Sequence, residues 1–526
     1  MSSNRVRFIL GSILLAHTPM LLSYFRTLWS YEHFQFYPFA LIATAMLFRQ
    51  RIDWGQLQLS GVPKLLLLLD LLFLVFACIV GSPWLAAVGF AFGVWALVFA
   101  SVDRQTARRP WELGLLFLSV IRPPAGLDLE IVQELQHVTT RISSDLLDRL
   151  GILHLRSGNL IELPTKRLFV EEACSGVQSF FAVIFLGLLV IAVRRRPPLH
   201  AFFLLASTAI CALPMNIARV VLIAFMWNEW QVDLSSGTSH AVLGYLLLAI
   251  AAALVLSADR CWRFLGEPIS SEWSTSYGER KSTNPITAAW DWCWGNFPGP
   301  TLAVTGPGKL LVATSVLVAV GFFGWQCASL FAGEGAVVQV SNQLFADAEL
   351  PARLGALELE TRESEERSRS NNEGQFSERW RYTGAAEECL VACDYPFTGW
   401  HSLETCYIGI GWQVEDKRLV GGTDWPAVAI RFSKPSGERG FLIYSLFDRQ
   451  GQAVRPKSAV DPAATIGERL MRSNWSSAAW QTYQVQIFCA GSAASTPEDE
   501  EQILKAHEAS REILRKYLQN SRGPLQ

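Results

Sequence analysis

The chain carries little charge for its length. Only 17% of its 526 residues are Asp, Glu, Lys or Arg, and the formal net charge is -2. A nucleic-acid-binding protein needs a basic face to contact phosphates, so this balance argues against nucleic acid as a partner. The sequence also lacks a small-x-small cleavage site after its first apolar run, and no internal repeat is evident. We therefore expect the first run to be retained as a helix rather than removed as a signal peptide.

Long apolar runs are abundant instead. Half of the residues are hydrophobic, and the excess lies before residue 330. A membrane helix needs about 20 apolar residues to cross a hydrocarbon core of about 30 Å. The runs lie at 8–25, 34–48, 64–80, 83–100, 110–121, 175–193, 199–230, 240–257 and 309–327. They predict an α-helical polytopic membrane domain of about 8–10 transmembrane or re-entrant helices in a lipid bilayer.

The predicted domain order follows from where these runs stop. Residues 1–257 are expected to form the membrane domain and residues 258–308 a cytoplasmic linker. Residues 309–327 form the final transmembrane helix, and residues 330–526 a small extracytoplasmic α+β domain. The fold class is therefore a polytopic helical domain followed by a smaller mixed one.

Three segments outside the apolar runs also show a pattern. Apolar residues recur at helical spacing over 127–150, which predicts an amphipathic helix over the outer face. Alternation over 151–170 predicts a short hairpin. Near the C-terminus, Thr496 as cap and Pro497 as first residue predict a helix over 497–518.

Basic residues set the predicted orientation. Arg and Lys clusters fall in alternate loops, and placing all of them inside puts the N-terminus in the cytoplasm. Segments 122–174 and 217–239 and the chain after residue 328 then lie outside, in a multi-pass protein of the inner (cytoplasmic) membrane. This topology requires the run 199–230 to cross only once. Pro214 is expected to break that run into a helix ending near residue 213 and a second half-helix.

Three polar side chains at helix ends share the predicted outer face. Cys174 precedes one apolar run, Arg219 follows Pro214, and His240 begins the next run. A thiolate is a nucleophile, and an imidazole can take up and return a proton near neutral pH. A guanidinium stays charged and can stabilise an oxyanion. Together they predict cysteine-dependent acyl transfer.

Three neighbouring residues have supporting roles in this hypothesis. Asn216 lies one turn before Arg219 and offers a further hydrogen bond, while the small pair Ser175 and Gly176 leaves room for a substrate backbone. Each of the three main candidates also has a structural interpretation: a packing cysteine, an arginine that extends to the lipid headgroups, and a capping or packing histidine. These alternatives stay open at the level of single residues.

The stretch Leu115 to Leu188 resembles the exosortases. The similarity includes Phe117 to Pro124 and ends in Glu172-Ala173-Cys174-Ser175-Gly176, which looks like the hallmark cysteine box of that family. Asn216-Ile217-Ala218-Arg219 and His240 stand where the family carries its Asn-x-x-Arg and His motifs. Tyr31-Glu32-His33 is similar to a weaker aromatic-Tyr-Ser-His element, with Glu32 in place of Ser. The resemblance covers roughly residues 1–257.

The resemblance implies an integral-membrane cysteine transpeptidase or protease without cofactor or metal. Its substrates would be exported proteins with a C-terminal sorting signal, made of a Pro-Glu-Pro-type motif, a hydrophobic helix and a basic tail. Cys174 would be the nucleophile that forms a thioacyl-enzyme, His240 the general base and acid, and Arg219 the transition-state or substrate clamp. The acyl group would pass to a cell-surface acceptor.

The C-terminal domain shows a second resemblance. Gly399 to Cys406 and Gly409 to Trp412 look like the His-Ser-x-x-x-Cys and Gly-x-Gly-Trp elements of companion proteins found with exosortases. This implies a companion domain fused to the enzyme. One or two disulfides are expected outside the cytoplasm. The four candidate cysteines are Cys389, Cys393, Cys406 and Cys489. A metal site formed by Cys389, Cys393, His401 and Cys406, and a catalytic pair of His401 with Cys406, are the alternatives.

Two other function classes remain open. The chain could be a non-enzymatic membrane assembly factor for envelope polysaccharide or protein export, with the companion-like domain as its working part. It could also be a small-molecule transporter that uses the broken helix as its site, although it lacks repeated halves and a second broken helix.

Overall fold

The structure is a computed structural model of the whole chain. It describes residues 2–29, 31–54, 57, 61–106, 108–124, 127–170, 176–266, 309–334, 345, 348–354, 357–366, 376–383, 387–397, 403–421, 425–434, 437–448, 450–454, 482–491 and 496–520. The chain divides into two compact units. The first contains residues 1–79 and 83–326, and the second contains residues 80–82 and 327–526.

The first unit is helical. Its helices before the cysteine segment are α1 (Ser2–Trp29), α2 (Tyr37–Arg51), α3 (Val62–Val80), α4 (Pro83–Ala100), α5 (Trp111–Leu118) and α6 (Leu127–Arg149). A 3-10 turn at Glu32–Phe34 separates α1 from α2. The helices after the cysteine segment are α7 (Gly176–Arg194), α8 (Pro198–Trp230), α9 (Gly237–Leu265) and α10 (Lys309–Glu334).

Five segments in the described part of the chain are long and apolar enough to cross a membrane. They are Arg7–Trp29, Val62–Val80, Pro83–Ala100, Pro198–Trp230 and Gly237–Leu265. Two shorter apolar segments, Phe180–Arg194 and Thr314–Ala328, lie in α7 and α10. The prediction of a polytopic helical membrane domain is confirmed.

The break expected at Pro214 is wrong. Helix α8 runs without interruption through 33 residues with Pro214 inside it, a length of about 50 Å at 1.5 Å per residue. Proline is tolerated in a membrane helix because neighbouring helices and side chains satisfy the backbone groups that it frees. One continuous helix is compatible with the single crossing that the predicted topology requires, and the topology itself stays a prediction. The broken helix on which the transporter hypothesis rests is absent from this described segment.

Several predicted cytoplasmic basic clusters gather at one end of the bundle. The Arg51 guanidinium bonds Asp103 through Nε at 2.6 Å and also bonds the Glu112 carboxylate and the Ala192 carbonyl. Burial raises the pKa of Asp103, but hydrogen bonds led by that from Arg51 lower it to about 2. These contacts join α2, α5 and the C-terminal end of α7.

A second buried carboxylate closes the same end. Asp259 of α9 is fully buried and accepts two hydrogen bonds from Arg196, at 2.7 and 2.6 Å. His200, at the start of α8, lies 2.9 Å from the same carboxylate. Bidentate arginine–carboxylate pairs are geometrically specific, so the ends of α7, α8 and α9 are fixed together.

Helix α6 forms where the sequence predicts it, but its buried face is polar. The buried residues of α6 share a small or polar side chain, apart from one leucine: Asp128, Gln136, Thr139, Thr140, Ser143, Ser144 and Leu147. Leu127, Ile131 and Val138 are exposed. A helix that packs on membrane helices buries small and polar residues because lipid accepts the apolar ones. The helix therefore buries its small polar residues and exposes both apolar residues and charged ones such as Glu134, Arg141 and Asp145.

The predicted hairpin is a three-stranded antiparallel sheet. It consists of β1 (Leu155–Ser157), β2 (Leu160–Leu163) and β3 (Lys166–Phe169), in that order. Its buried residues, among them Ile161 and Leu168, form one cluster with Val220 of α8 and Leu243 of α9. The sheet thus covers the end of α8 and the start of α9, opposite the end held by Asp259.

The predicted boundary at residue 257 lies inside α9, because that helix continues to Leu265. The rest of the predicted linker, residues 267–308, falls outside the described residues. The predicted final span at 309–327 corresponds to α10, whose Gln326 is buried and donates to the Ala16 carbonyl of α1 at 2.7 Å.

The second unit is built on an antiparallel sheet of nine strands. The strands are β4 (Arg353–Leu354), β5 (Leu357–Glu366), β6 (Phe376–Thr383), β7 (Glu387–Phe397), β8 (Gln413–Val420), β9 (Ala427–Ser433), β10 (Arg439–Asp448), β11 (Ala453–Val454) and β12 (Thr482–Gly491). Their order is β4-β5-β6-β7-β12-β10-β9-β8, and β11 pairs with β10. This sheet and its helices agree with the predicted α+β domain.

One helix covers each face of the sheet. Helix α12 (Pro497–Asn520) packs its Leu514 and Leu518 against the face that carries Val485 and Ile487, and α11 (Leu403–Gly409) packs its Tyr407 against the other. The predicted cap is present, because the Thr496 hydroxyl accepts the Asp499 amide at 3.2 Å.

One of the expected disulfides is present, between Cys389 of β7 and Cys489 of β12, which face each other across the sheet. This bond removes Cys389 from the alternative metal-ligand set. Cys393 is a fully buried thiol whose pKa burial raises well above its usual value, and Cys406 lies on α11. His401 falls outside the described residues.

Candidate active site

Arg219 and His240 are in direct contact. The Arg219 guanidinium lies with Nη2 2.7 Å from Nε2 of His240, and Nδ1 of His240 lies 3.1 Å from the Leu234 carbonyl oxygen. A carbonyl oxygen only accepts, so Nδ1 carries the proton and Nε2 presents its lone pair to the arginine. The structure thus brings together two of the three main predicted site residues, from α8 and α9.

A loop between α8 and α9 positions the imidazole. Helix α8 ends at Gln231, whose φ of 53° is left-handed and turns the chain back. Asp233 then accepts the Ser235 amide at 2.7 Å and pairs with Lys166 of β3, also at 2.7 Å. The hydrogen bond from Lys166 is the main cause that holds the pKa of Asp233 well below its usual range. The residue after Asp233 supplies the carbonyl that orients His240.

Packing positions the guanidinium. The Arg219 residue is 4% exposed, although it stands on a membrane helix where an unpartnered charge costs several kcal/mol. Gly244 of α9, one turn after His240, leaves the necessary room: a Cβ there would lie 3.0 Å from Nη2. The side chain of Arg219 therefore does not extend to an exposed position at the lipid headgroups. It is held against His240.

Asn216 is held by α6. Its Nδ2 donates to the Thr139 hydroxyl at 3.1 Å, and Thr139 is fully buried. Its Oδ1 is buried and accepts no hydrogen bond within the described residues. An unpaired buried acceptor costs about 1–3 kcal/mol. The polar face of α6 thus fixes the amide of Asn216 with its acceptor directed away from Thr139.

Cys174 and Ser175 fall outside the described residues, and Gly176 begins α7. The chain on both sides of this segment is described. Val170, four residues before the cysteine, is buried in the cluster that contains Val220 and Leu243, direct neighbours of the two site helices. The segment with the thiol therefore starts beside the elements that carry Arg219 and His240.

A second polar constellation lies against α7. Oδ2 of Asp128, fully buried on α6, is 3.2 Å from Nε2 of His33 and 2.7 Å from Nε of Arg122. The Arg122 guanidinium covers the Tyr31 ring at 3.9 Å, and the His33 ring lies 5.0 Å from that of Phe181 in α7. Burial raises the pKa of Asp128, but hydrogen bonds from His33 and Arg122 bring it below its usual value.

Sequence reasoning missed Asp128 as a site candidate, because an acid in the first turn of a helix is explained by the helix dipole alone. The signal that could have found it was the resemblance of two separate segments, around His33 and Arg122, to one family. Asp128 is what joins those segments in space.

A pair inside the membrane bundle was also missed. His17 of α1 and Asp70 of α3 are buried, with Nε2 and Oδ1 3.1 Å apart. Both residues stand in the middle of apolar runs, where an ionisable side chain is a signal in its own right. The pair joins α1 to α3, away from the two constellations at the helix ends.

The comparisons with known proteins give one family. A family model described as transmembrane exosortase matches residues 28–257. No curated protein and no solved structure matches the chain. The match spans both polar constellations and ends before the second unit, so the companion-like resemblance of that unit stays a prediction.

Proposed function

Residues 28–257 belong to the transmembrane exosortase family, and from this premise we propose that the chain is a membrane-embedded cysteine transpeptidase or protease. It cleaves the C-terminal sorting signals from exported proteins and transfers the newly formed acyl end of each protein to a cell-surface acceptor. The observation that carries the proposal is the 2.7 Å contact between Arg219 and His240, at the end of the bundle where the cysteine segment also begins.

In the proposed reaction, the Cys174 thiol gives its proton to Nε2 of His240, and its sulfur attacks the carbonyl carbon of the scissile peptide bond. Because Nε2 faces Arg219, the guanidinium must leave the imidazole as the thiol arrives. The displaced guanidinium then meets the negative charge that develops on the carbonyl oxygen.

The collapse of this intermediate breaks the C–N bond. His240 returns its proton to the leaving amine and leaves a thioacyl-enzyme. The nucleophile of the acceptor then attacks the thioester, loses its proton to His240, and releases the Cys174 thiolate. Water in place of the acceptor gives hydrolysis by the same steps.

We further propose that the site and the second unit face outside the cytoplasmic membrane. The gathering of Arg51, Arg195 and Arg196 at the opposite end of the bundle supports this orientation, because basic residues favour the cytoplasmic side. The disulfide of the second unit supports it too, since disulfides persist in oxidising compartments.

The experiment is processing of a tagged substrate that carries a sorting signal, with wild-type protein and with Cys174→Ala. Loss of processing, with unchanged amount and folding of the protein, is the expected result. Unchanged processing in Cys174→Ala contradicts the enzyme hypothesis and favours a non-enzymatic assembly factor. Arg219→Lys and His240→Gln are expected to lower the rate by about 100-fold or more.

A further inference from the structure

A small cavity opens beside Arg219, between α7, α8 and α9. Its volume is about 10 Å³, about the room that one water molecule or a group of similar size needs. Its lining combines the small residues Ala212, Gly244 and Ala251 with larger ones that include Asn216, Arg219 and Leu248. The cavity continues from the catalytic pair toward the interior of the bundle, because Leu248 and Ala251 follow His240 along α9.

The polar groups of this cavity complement a peptide bond. Asn216 presents a buried acceptor, Oδ1, that bonds no group of the described residues. Its amide cannot turn without losing the bond to Thr139. Arg219 presents a cationic donor one helical turn away, about 4.5 Å along α8. An acceptor and a donor at this spacing, over an apolar recess, match an N–H group, a carbonyl oxygen and a small side chain.

We propose that this cavity is the subsite for the substrate residue whose carbonyl carbon is attacked. It accepts hydrogen or a methyl group as side chain, while Asn216 accepts the backbone N–H of that residue and Arg219 meets its carbonyl oxygen. The assignment rests on the proposed function and deepens it: the subsite selects substrates with Gly or Ala at the cleavage point.

The test varies the side chain of the substrate and the residues that line the cavity. Substrates with Gly, Ala, Val or Leu at the cleavage point are processed by the wild type, by Leu248→Ala, which widens the cavity, and by Ala251→Leu, which fills it. Leu246→Ala is the matched control, because Leu246 lies on the same helix and is 58% exposed. One methylene group changes the rate in a selective apolar pocket by about 10–200-fold.

The wild type is expected to process Gly and Ala substrates at least tenfold faster than Val and Leu substrates. Leu248→Ala should reduce this ratio at least tenfold, Leu246→Ala should leave it unchanged, and Ala251→Leu should retain Gly alone. A wild-type rate that does not depend on side-chain size overturns the subsite, as does an unchanged ratio in Leu248→Ala. If Cys174→Ala is inactive, these outcomes contradict the subsite but not the enzyme hypothesis. Failure of the subsite is therefore distinguishable from failure of the proposed function.

Discussion

Replacement of Gly244 by Ala tests whether the position of the Arg219 guanidinium limits the rate. The new Cβ would lie 3.0 Å from Nη2 and 3.5 Å from Cζ of Arg219. Ordinary carbon contacts begin near 3.5 Å, so the guanidinium must move by roughly half an ångström. A displacement of a catalytic group by 1 Å lowers the rate by about 100-fold, so a displacement of about half that size is expected to lower kcat about tenfold. The end of a flexible side chain moves at little cost, and Ala favours helix by about 1 kcal/mol over Gly, so stability should not fall.

The assay is processing of a tagged substrate by purified protein in lipid, together with thermal unfolding. Gly321→Ala is the control, since a Cβ at Gly321 of α10 meets nothing within 4 Å. Its rate should equal that of the wild type, and its melting temperature should not be lower. A rate within twofold of the wild type in Gly244→Ala refutes the reasoning, because the rate would then not depend on the exact position of the guanidinium. A lower melting temperature in Gly244→Ala would show that the fold, not the site, absorbs the strain.

Three further predictions concern the supports of the site and the second unit. Thr139→Val removes the acceptor for Asn216 Nδ2, so it should lower activity and cost about 1–3 kcal/mol of unfolding free energy, whereas Thr139→Ser should restore both. Joint replacement of Cys389 and Cys489 by Ala opens a loop of 100 residues and should destabilise the second unit by about 2–5 kcal/mol in denaturant titration. Burial lowers the pKa of His507 to about 3, and the unfolded chain therefore binds a proton there below pH of about 6.5 while the fold does not. Stability should fall by about 2 kcal/mol from pH 7 to pH 5, as measured by hydrogen exchange of β12 amides in the whole protein; the same fall in His507→Gln would contradict the assignment.

The membrane helices could be predicted because in lipid an apolar run has few alternatives to a helix. The runs at 64–80 and 83–100 became α3 and α4 with almost the same bounds. Pro214 could not be judged in this way. In water its missing N–H and its ring end most helices, whereas membrane helices tolerate proline, and α8 continues through Pro214. Sequence rules from soluble proteins therefore fail at this residue for a physical reason.

The candidate site was predicted as a set of residue types but not as a set of contacts. The helical spacing of α6 is visible in the sequence, but its buried face consists mainly of small polar residues, which allow close packing against membrane helices. The bond from Asn216 to Thr139 and the contacts of Asp128 are both made by this buried polar face. The periodicity of α6 alone cannot show these contacts, because the partner residue in each of them lies on another helix or loop.

The directions of α7, α8 and α9 explain how Arg219 and His240 come to meet at one end of the bundle. Helix α7 runs 19 residues from Gly176 to Arg194, about 28 Å at 1.5 Å per residue, which is close to the thickness of the hydrocarbon core. Its last residues lie in the basic clusters, so its first residue, Gly176, two residues after Cys174, lies at the opposite end of the bundle. Helix α8 returns from those clusters, and the chain turns after Trp230 so that α9 begins beside α8 with His240. The contact between Arg219 and His240 requires this course, and it does not depend on a break at Pro214. The meeting of the guanidinium and the imidazole therefore rests on the directions of α8 and α9, while a common face shared with the Cys174 thiol stays a prediction.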